Sequence, residues 1–542
     1  MKFILSLLAS VLIALAWLLP VHYRPWVTYT GELFAFLSLF ALTAFFLQQK
    51  IKLPVVTLPL VGMAFIPLLQ WLFGLEFFFS IALISSLFVF AFWLSAVLGY
   101  NLSLTQKDRE QAFTNLSYVL LVVGMLSGVM AICQWLTIEN YIPGIANLRS
   151  NRPYANFAQP NNMATFLILS LMASLYLFEK SKLKAWILSL CSLTILIALV
   201  LSQSRTSWVV CILFLAYFFY QQYRGYLRLK WYAMLTWVGL FIGLILIMPT
   251  IDHWVAQAAH LAIADSPTAI ERASTGHMRL GIWKQMLYAI SDRPWFGYGW
   301  NQTSVAQVAV SEYYRIPEWV RSSHNFVLDF LVWNGLLIGV PFLGYLIYLG
   351  YRLISRVSST ESVIGILMIV AVLVHALLEY PQNYAYFLLP LGFIVGLVLS
   401  QETQLKVWTL VPKYIQMMFV VGGLLLVLIH RDYMVAVPKL NQSMRYEHTP
   451  EKITNHDRIY VLDELSRRIA WIRLNPNTVL SKAELQQIYE VVQCYPTKYD
   501  LLKYARVLAF NGDEQGARHQ LWLLKQLKHV DVSYESLLEP AK

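Results

Sequence analysis

The stretch AWILSLCSLTILIALVLSQSRTSWVVCILFLAYFFYQ, residues 185–221, decides the fold class. Two apolar runs, 185–203 and 206–221, are divided only by the polar stretch Ser202-Gln203-Ser204-Arg205-Thr206-Ser207. An apolar run of roughly 17–25 residues is what a helix needs to cross a bilayer. Two in immediate succession predict a membrane hairpin. Arg205 then sits in a loop too short to leave the membrane interface, where an ionisable residue is expected to be functional. Snorkelling of its guanidinium to lipid headgroups is the competing reading.

The rest of the chain follows the same pattern. Of 542 residues, 58% are hydrophobic, 15% aromatic and 13% charged, with mean hydropathy +0.56. Soluble proteins carry about 25% charged residues. These values exclude a soluble enzyme, a secreted scaffold and a disordered hub, and predict an all-α polytopic membrane protein. About thirteen transmembrane helices are expected, near 3–20, 31–48, 53–72, 77–99, 115–137, 162–178, 185–203, 206–221, 232–250, 325–349, 362–379, 384–400 and 414–430.

Charge divides the chain in two. Residues 431–542 carry 30 charges in 112 positions, whereas 1–430 carry 41. A transmembrane domain, 1–430, and a helical domain of soluble composition, 431–542, are expected. In the latter, Tyr504 to Asp513 continues into Ala517 and Leu521. This reads equally as one tetratricopeptide-like repeat or as a plain αα-hairpin. Three cysteines, Cys133, Cys191 and Cys211, lie in apolar runs and only Cys494 in the soluble part, so no disulfide framework is expected.

Lysine and arginine in short loops set orientation. With Lys2 inside, one side holds 15 basic residues and the short loops of the other hold four: Arg24, Arg149, Arg152 and Arg205. The net charge of +11 is thereby read as topology rather than as a nucleic-acid site. A long loop, about 251–323, and the C-terminal domain fall outside the cytoplasm. Lys2, the first apolar run and Ala14-Leu15-Ala16 also resemble a cleavable signal peptide; its removal leaves the other orientations unchanged.

The outer face collects the unusual polar residues. They are Trp26 and Glu32; Gln159-Pro160-Asn161; Arg205; Arg279, Asp292-Arg293-Pro294 and Gly297-Tyr298-Gly299; Arg321 and His324-Asn325; and His375, Glu379, Tyr380 and Pro381. Structural readings stand beside them. Trp26 suits an interfacial belt, Gln159-Pro160-Asn161 the start of a span, Asp292 to Gly299 a turn, and His324-Asn325 a helix cap. Together, several outward arginines suit a diphosphate, which guanidinium binds in bidentate fashion. A histidine is the natural base at neutral pH. No cluster has metal-ligand spacing and no cofactor is expected. Arginine would therefore meet the leaving-group charge in transfer from a lipid diphosphate.

At these residues the sequence resembles the O-antigen ligase/polymerase superfamily. The resemblance rests on Ser204-Arg205-Thr206, Arg279 to Trp283, Asp292 to Gly299, and His324-Asn325-Phe326-Val327-Leu328 with Asn334-Gly335. Pro20 to Glu32 with Pro25-Trp26, Gln159-Pro160-Asn161, and His375 to Pro381 continuing through Tyr384 to Pro390 are similar to motifs of PglL-type protein O-oligosaccharyltransferases. The resemblance implies en bloc transfer of an oligosaccharide from undecaprenyl diphosphate to Ser or Thr of periplasmic proteins such as type IV pilin. It also implies an inner-membrane location, with the site and C-terminus periplasmic.

On this reading His324 is the catalytic base. Arg205 and Arg279 bind the diphosphate, with Arg293 and Arg321 in reserve. Gln159, Asn161, Trp26, Glu32, His375, Glu379 and Tyr380 position substrate. The nearest alternative is an O-antigen ligase acting on lipid A–core, or an O-antigen polymerase. A transporter, which would place polar groups near the midplane, and a non-catalytic scaffold are rivals of other classes.

Overall fold

The computed structural model of the chain describes residues 2–22, 25–149, 151–258, 277–454 and 457–538. Tyr23 and Arg24 of the first loop, and residues 259–276 of the long loop, lie outside the described residues.

Helices dominate. In chain order they are α1 (Lys2–Leu18), α2 (Tyr29–Ala44), α3 (Leu58–Leu72), α4 (Phe79–Asn101), α5 (Gln106–Trp135), α6 (Pro160–Glu179), α7 (Ala185–Leu201), α8 (Thr206–Tyr223) and α9 (Trp231–Ala258). Two polar helices follow, α10 (His277–Asp292) and the short α11 (Thr303–Ala309). Then come α12 (Phe326–Ser355), α13 (Thr360–Ala376), α14 (Ala385–Leu399) and α15 (Pro412–Arg445). The C-terminal helices are α16 (Asp463–Arg473), α17 (Lys482–Cys494), α18 (Lys498–Phe510), α19 (Glu514–Lys528) and α20 (Glu535–Leu538).

A helix therefore stands at each apolar run read from the sequence. Among the described residues, seven of them (α3 with its leading 3-10 turn, α4, α5, α6, α9, α12 and α15) are long and apolar enough to cross a membrane. Helices α1, α2, α7, α13 and α14 are apolar but shorter. The chain is a predominantly helical, multi-pass membrane protein. Helix α15 runs unbroken across residue 431, where the composition changes.

The chain forms two compact units. The first comprises Met1–Leu60, Phe90–Gly276 and Ile347–Val420. Its centre is α6, most of whose apolar stretch is buried, whereas that of α9 is largely exposed. Small residues let the helices approach closely, as membrane helices require. A methyl group at Gly396 of α14 would run into the backbone carbonyl of Ala96 in α4.

The ends of these helices sort into two sets. In one, β1 (Ile51–Pro54) pairs antiparallel with β2 (Val407–Leu410), Ile51 opposite Leu410. There too, Lys180 pairs with Glu361 at 2.6 Å, Lys182 with Glu110 at 2.8 Å and Arg352 with Glu402 at 2.6 Å. The loops carrying the lysine-rich set are thus bonded to one another. The other set carries the candidate residues of this unit, from Trp26 to Tyr380.

The second unit comprises Val61–Val89, His277–Leu346 and Val421–Lys542. One core gathers Met286, Tyr298, Trp300, Phe330 and Trp333, and another Trp471, Tyr504, Leu508 and Leu524. Two helix N-termini cap each other. Asp463 accepts the backbone N–H of Phe79 at 3.2 Å and of Ser80 at 2.7 Å, and the Ser80 hydroxyl accepts the Glu464 N–H at 3.2 Å. Helices α4 and α16 so satisfy each other's orphan donors. Among α16 to α19, Arg468 grips the buried Asp500, which also accepts from the Trp471 indole at 2.8 Å.

Candidate active site

The candidate residues fall in both units, and each set has its own geometry. In the first unit, Gln159 is the N-cap residue of α6 and Pro160 opens the helix, so the span-start reading of this motif holds. The Gln159 side chain makes no cap, and its Nε2 donates a long bond, 3.4 Å, to Asn162. Asn161, in the first turn, donates through Nδ2 to Glu379 Oε1 at 2.9 Å and accepts from Arg152 Nη2 at 3.1 Å. Arg152 Nε in turn donates to the carbonyl of Ser202 at 2.8 Å, three residues before Arg205. A guanidinium and a buried carboxylate thus flank one amide, and the chain of bonds ends at the loop that carries Arg205.

Arg205 itself is half-buried and serves as the N-cap residue of α8 without capping it through its side chain. Glu32 is 2% exposed; its carboxylate accepts from Thr28 Oγ1 at 2.8 Å and from the Ala385 N–H at 2.5 Å. It ties the first loop to the start of α14, with both oxygens engaged by protein. Trp26 is half-buried, its ring edge-on to Tyr29 at 5.5 Å. The neighbouring His22 ring also meets Tyr29 edge-on, at 6.4 Å, and burial holds its pKa below the usual value.

His375 is fully buried, Nδ1 2.8 Å from Thr165 Oγ1 and its ring edge-on to Phe387. It touches no open space; its carbonyl accepts the Glu379 N–H at 2.8 Å. Tyr380 is half-buried beside Tyr384, which stacks on Tyr386 at 5.2 Å.

In the second unit, the stretch from Asp292 to Gly299 is the turn its sequence suggested, and it has a partner. Helix α12 is broken at Gly335, where φ is +66° and ψ −178°. The freed groups bond to the turn: Leu336 N–H to Pro294 O at 2.6 Å, Tyr298 N–H to Val332 O at 2.9 Å and Gly299 N–H to Trp333 O at 3.1 Å. Gln70 of α3 completes the junction, donating to Trp333 O at 2.9 Å and accepting from the Trp300 N–H at 3.0 Å. Positive φ combined with ψ near 180° is open essentially to glycine alone, and a Cβ at Gly335 would collide with the backbone of Trp295.

His324 stands at the head of α12 with φ +57°, a conformation few non-glycine residues adopt. Asp329, 1% exposed one turn into the helix, holds it there. Its carboxylate accepts from Ser322 Oγ at 2.6 Å, the Ser323 N–H at 2.8 Å and Thr303 Oγ1 at 2.9 Å, and Ser322 Oγ accepts the His324 N–H at 3.0 Å. Asn325 caps α12 by accepting the Val327 N–H at 3.0 Å. The capping reading therefore applies to Asn325, while His324 is held out of the helix in a half-buried position.

Trp283 of α10 donates its indole N–H to Ser323 O at 3.0 Å. Arg279 lies four residues earlier, on the same helical face. Arg293 packs over Tyr298 at 4.5 Å, and the Tyr298 hydroxyl donates to Asp292 at 2.6 Å. Burial, with that carboxylate beside it, raises the Tyr298 pKa. Arg321 is sandwiched by Trp319 at 5.2 Å and Tyr495 at 4.7 Å.

Sequence reading did not assign roles to Arg152, Asp329 or Thr165. An acid within the first turn of an otherwise apolar span was a legible signal for Asp329. Arg152 stood out only as one of the outward basic residues, and nothing local marked Thr165. Among the described residues no group of three or more His, Cys, Asp or Glu is arranged to hold a metal ion.

Three family models match the chain: O-antigen ligase over residues 190–343, virulence factor membrane-bound polymerase, C-terminal, over 363–525, and protein glycosylation ligase over 153–178. These ranges take in the Arg205, Arg279 and His324 motifs, the His375–Tyr380 motif and the Gln159 motif, respectively. A general O-oligosaccharyltransferase of Acinetobacter baylyi is 43% identical over 99% of this chain and 94% of its own length. A ComP-specific O-oligosaccharyltransferase of the same organism is 26% identical over 90% of this chain and 89% of its own length. The chain belongs to the PglL-type protein O-oligosaccharyltransferases of the O-antigen ligase superfamily. It is a glycosyltransferase that moves glycan to protein.

Proposed function

We propose that the chain transfers a preassembled oligosaccharide in one block from undecaprenyl diphosphate to Ser or Thr of periplasmic proteins, pilin-like proteins among them. The observation that carries this is the whole-length likeness to a general O-oligosaccharyltransferase. The larger identity to that protein than to the ComP-specific one favours a range of acceptors over a single one.

The proposed topology has thirteen spans in the inner membrane, with the candidate residues and the C-terminus periplasmic. The bonding of the lysine-rich loops to one another supports alternate threading, because these loops are the ones that odd and even spans would return to a single side. Residues 1–430 would be the transmembrane domain and 431–542 a periplasmic helical domain. The α18–α19 hairpin supports an αα-hairpin there, of which a tetratricopeptide-like repeat is one form.

The reaction we assign is a single displacement that needs no metal. The acceptor hydroxyl oxygen bonds to the anomeric carbon as the bond from that carbon to the diphosphate oxygen breaks. His324 takes the hydroxyl proton, a role typically contributing about 10²–10⁴-fold. Arg205 and Arg279 bind the diphosphate and stabilise its growing charge, with Arg293 and Arg321 available beside aromatic rings. Gln159, Asn161, Trp26 and Tyr380 contact sugar or acceptor. The burial of Glu32, His375 and Glu379 makes them positioning residues: Glu379 orients Asn161, and His375 orients Glu379.

Purified protein incubated with a lipid-diphosphate-linked glycan and a pilin-like acceptor should yield acceptor heavier by one glycan block in intact mass. The match to O-antigen ligase over 190–343 keeps a second reading in view, transfer to lipid A–core or repeat-unit polymerisation. A deletion strain decides between them. Lost glycoprotein with unchanged lipopolysaccharide supports the protein acceptor, and the reverse pattern sinks it.

A further inference from the structure

We infer that the groove between α1, α2, α4, α5 and α14 binds one phospholipid whose headgroup carries a primary ammonium, drawn from the leaflet on the lysine-rich side of the bundle. The groove has a volume of about 1050 Å³ and lies wholly in the first unit. Its polar lip stands at the opposite helix ends from Gln159, Arg205 and Glu379. On the proposed topology that is the cytoplasmic interface, and the site plays no part in the transfer itself.

The walls suit hydrocarbon. Leu39, Leu42, Leu116, Val119, Leu389 and Phe393 line the groove. Three serines among them turn their hydroxyls onto backbone: Ser10 donates to Ser6 O at 3.0 Å, Ser38 to Ala9 O at 2.8 Å and Ser95 to Leu389 O at 2.6 Å. These hydroxyls need no further partner, so the wall gains by burying an apolar chain. A sugar or a peptide would leave its own polar groups unmet there.

Depth selects the chain. The lining on α5 runs from Asp108 to Val119, about 16 Å of helix, and on α1 it ends at Ile13. One leaflet of the hydrocarbon core is about 15 Å deep. The lining therefore stops near the midplane, which matches an acyl chain of one leaflet and is too short for a polyprenyl tail.

The lip carries both signs of charge. Asp108 is exposed there, its Oδ2 accepting from Thr105 Oγ1 at 2.6 Å. One turn deeper Gln111 donates to Asn115 at 2.8 Å, and both line the groove. Lys107 adjoins Asp108, and Lys2 stands one turn before Ser6 with its ammonium 4.9 Å from the Phe45 ring. Lysine suits a phosphate and the carboxylate suits an ammonium donor. A glycerol headgroup brings no cation and a choline headgroup no N–H, whereas an aminoethyl headgroup brings both. Seated so, the lipid ties α1, where Phe3, Ile4, Leu7 and Val11 are exposed, to α5 and the bundle.

Native mass spectrometry of the full-length protein in mild detergent tests this. One phosphatidylethanolamine per chain should be retained, with phosphatidylglycerol and phosphatidylcholine binding roughly tenfold more weakly, a 1.4 kcal/mol difference. Leu42→Trp and Leu116→Trp, at half-exposed lining positions, should each weaken phosphatidylethanolamine by a similar factor. Val122→Trp, at an exposed position of α5 outside the groove, should leave it unchanged. Asp108→Asn should erase the preference over phosphatidylglycerol. A phosphatidylethanolamine with a photoreactive acyl chain should cross-link to peptides within 6–13 and 108–119 of the native protein, a readout that stands even where a tryptophan variant does not fold. Equal binding of the three headgroups, undiminished binding by both filled variants, cross-links confined to other helices, or displacement by undecaprenyl diphosphate would each overturn the inference.

Discussion

Trp283 and Ser323 are joined by a 3.0 Å hydrogen bond, indole N–H to carbonyl oxygen. The bond fixes the residue immediately before His324 to the helix that carries Arg279. It gives a structural reason for the spacing of arginine and tryptophan in α10. The phenyl ring of Trp283→Phe would keep the apolar contact and lose the donor. A neutral hydrogen bond is worth about 1 kcal/mol net, so kcat should fall about fivefold while KM for the donor holds. An unchanged kcat would show that this bond does not set the histidine's position.

His324→Ala should abolish transfer while leaving donor binding intact. Loss of a general base predicts a fall of about 10²–10⁴-fold. Single-turnover kinetics with a lipid-linked glycan measures the chemical step, and binding in nanodiscs measures the donor. A variant that glycosylates at the native rate means another group takes the proton.

Asp329→Ala leaves Ser322 Oγ, the Ser323 N–H and Thr303 Oγ1 without their shared acceptor. Orphaning buried donors costs about 1–3 kcal/mol each, so the melting temperature in detergent should drop clearly. Asp329→Asn keeps an acceptor oxygen and should fall between. Its activity should suffer more than its stability, because the left-handed His324 backbone depends on the full set of bonds.

Gly335→Ala should fail to accumulate as folded protein. Its φ of +66° is strained for any side chain, and the added methyl meets the Trp295 backbone. Gly344→Ala in the same helix, where nothing lies within 4 Å, should be neutral or slightly stabilising. Expression and size-exclusion profiles of the pair compare them directly. Equal profiles would remove the helix break from any structural role.

Arg152→Lys keeps a charge but lacks the planar fork that reaches both Ser202 O and Asn161. Transfer should fall about tenfold with little change in melting temperature. Arg205→Lys should fall further and weaken donor binding as well. If Arg205→Lys retains native activity, headgroup snorkelling is the better account of that arginine.

The apolar helices were legible because each depends on a contiguous run of residues, and runs survive in one dimension. The helix at 185–201 and its partner at 206–223 were found within a residue or two. The start of α6 was readable for the same reason: Gln159-Pro160 is a local signal. What joins them is not local. Arg152 reaches Ser202 across 50 residues, and Asn161 reaches Glu379 across 218, distances over which a sequence carries no register. The burial of the His375 ring against Thr165 and Phe387 was not legible either. A histidine at the end of an apolar run looks the same whether it faces inward or outward. Asp292 to Gly299 was readable as a turn, but not as the filler of a helix break forty residues away.

The mutual capping of α4 and α16 has a consequence for how the protein is made. Asp463 serves a helix that begins 384 residues earlier. At synthesis rates of about 5–20 residues per second, Phe79 and Ser80 leave the ribosome about 20–80 seconds before their cap exists. Throughout that interval the end of α4 is an unfinished edge. A nascent chain that has not yet reached Asp463 therefore lacks the acceptor that caps the start of its fourth helix.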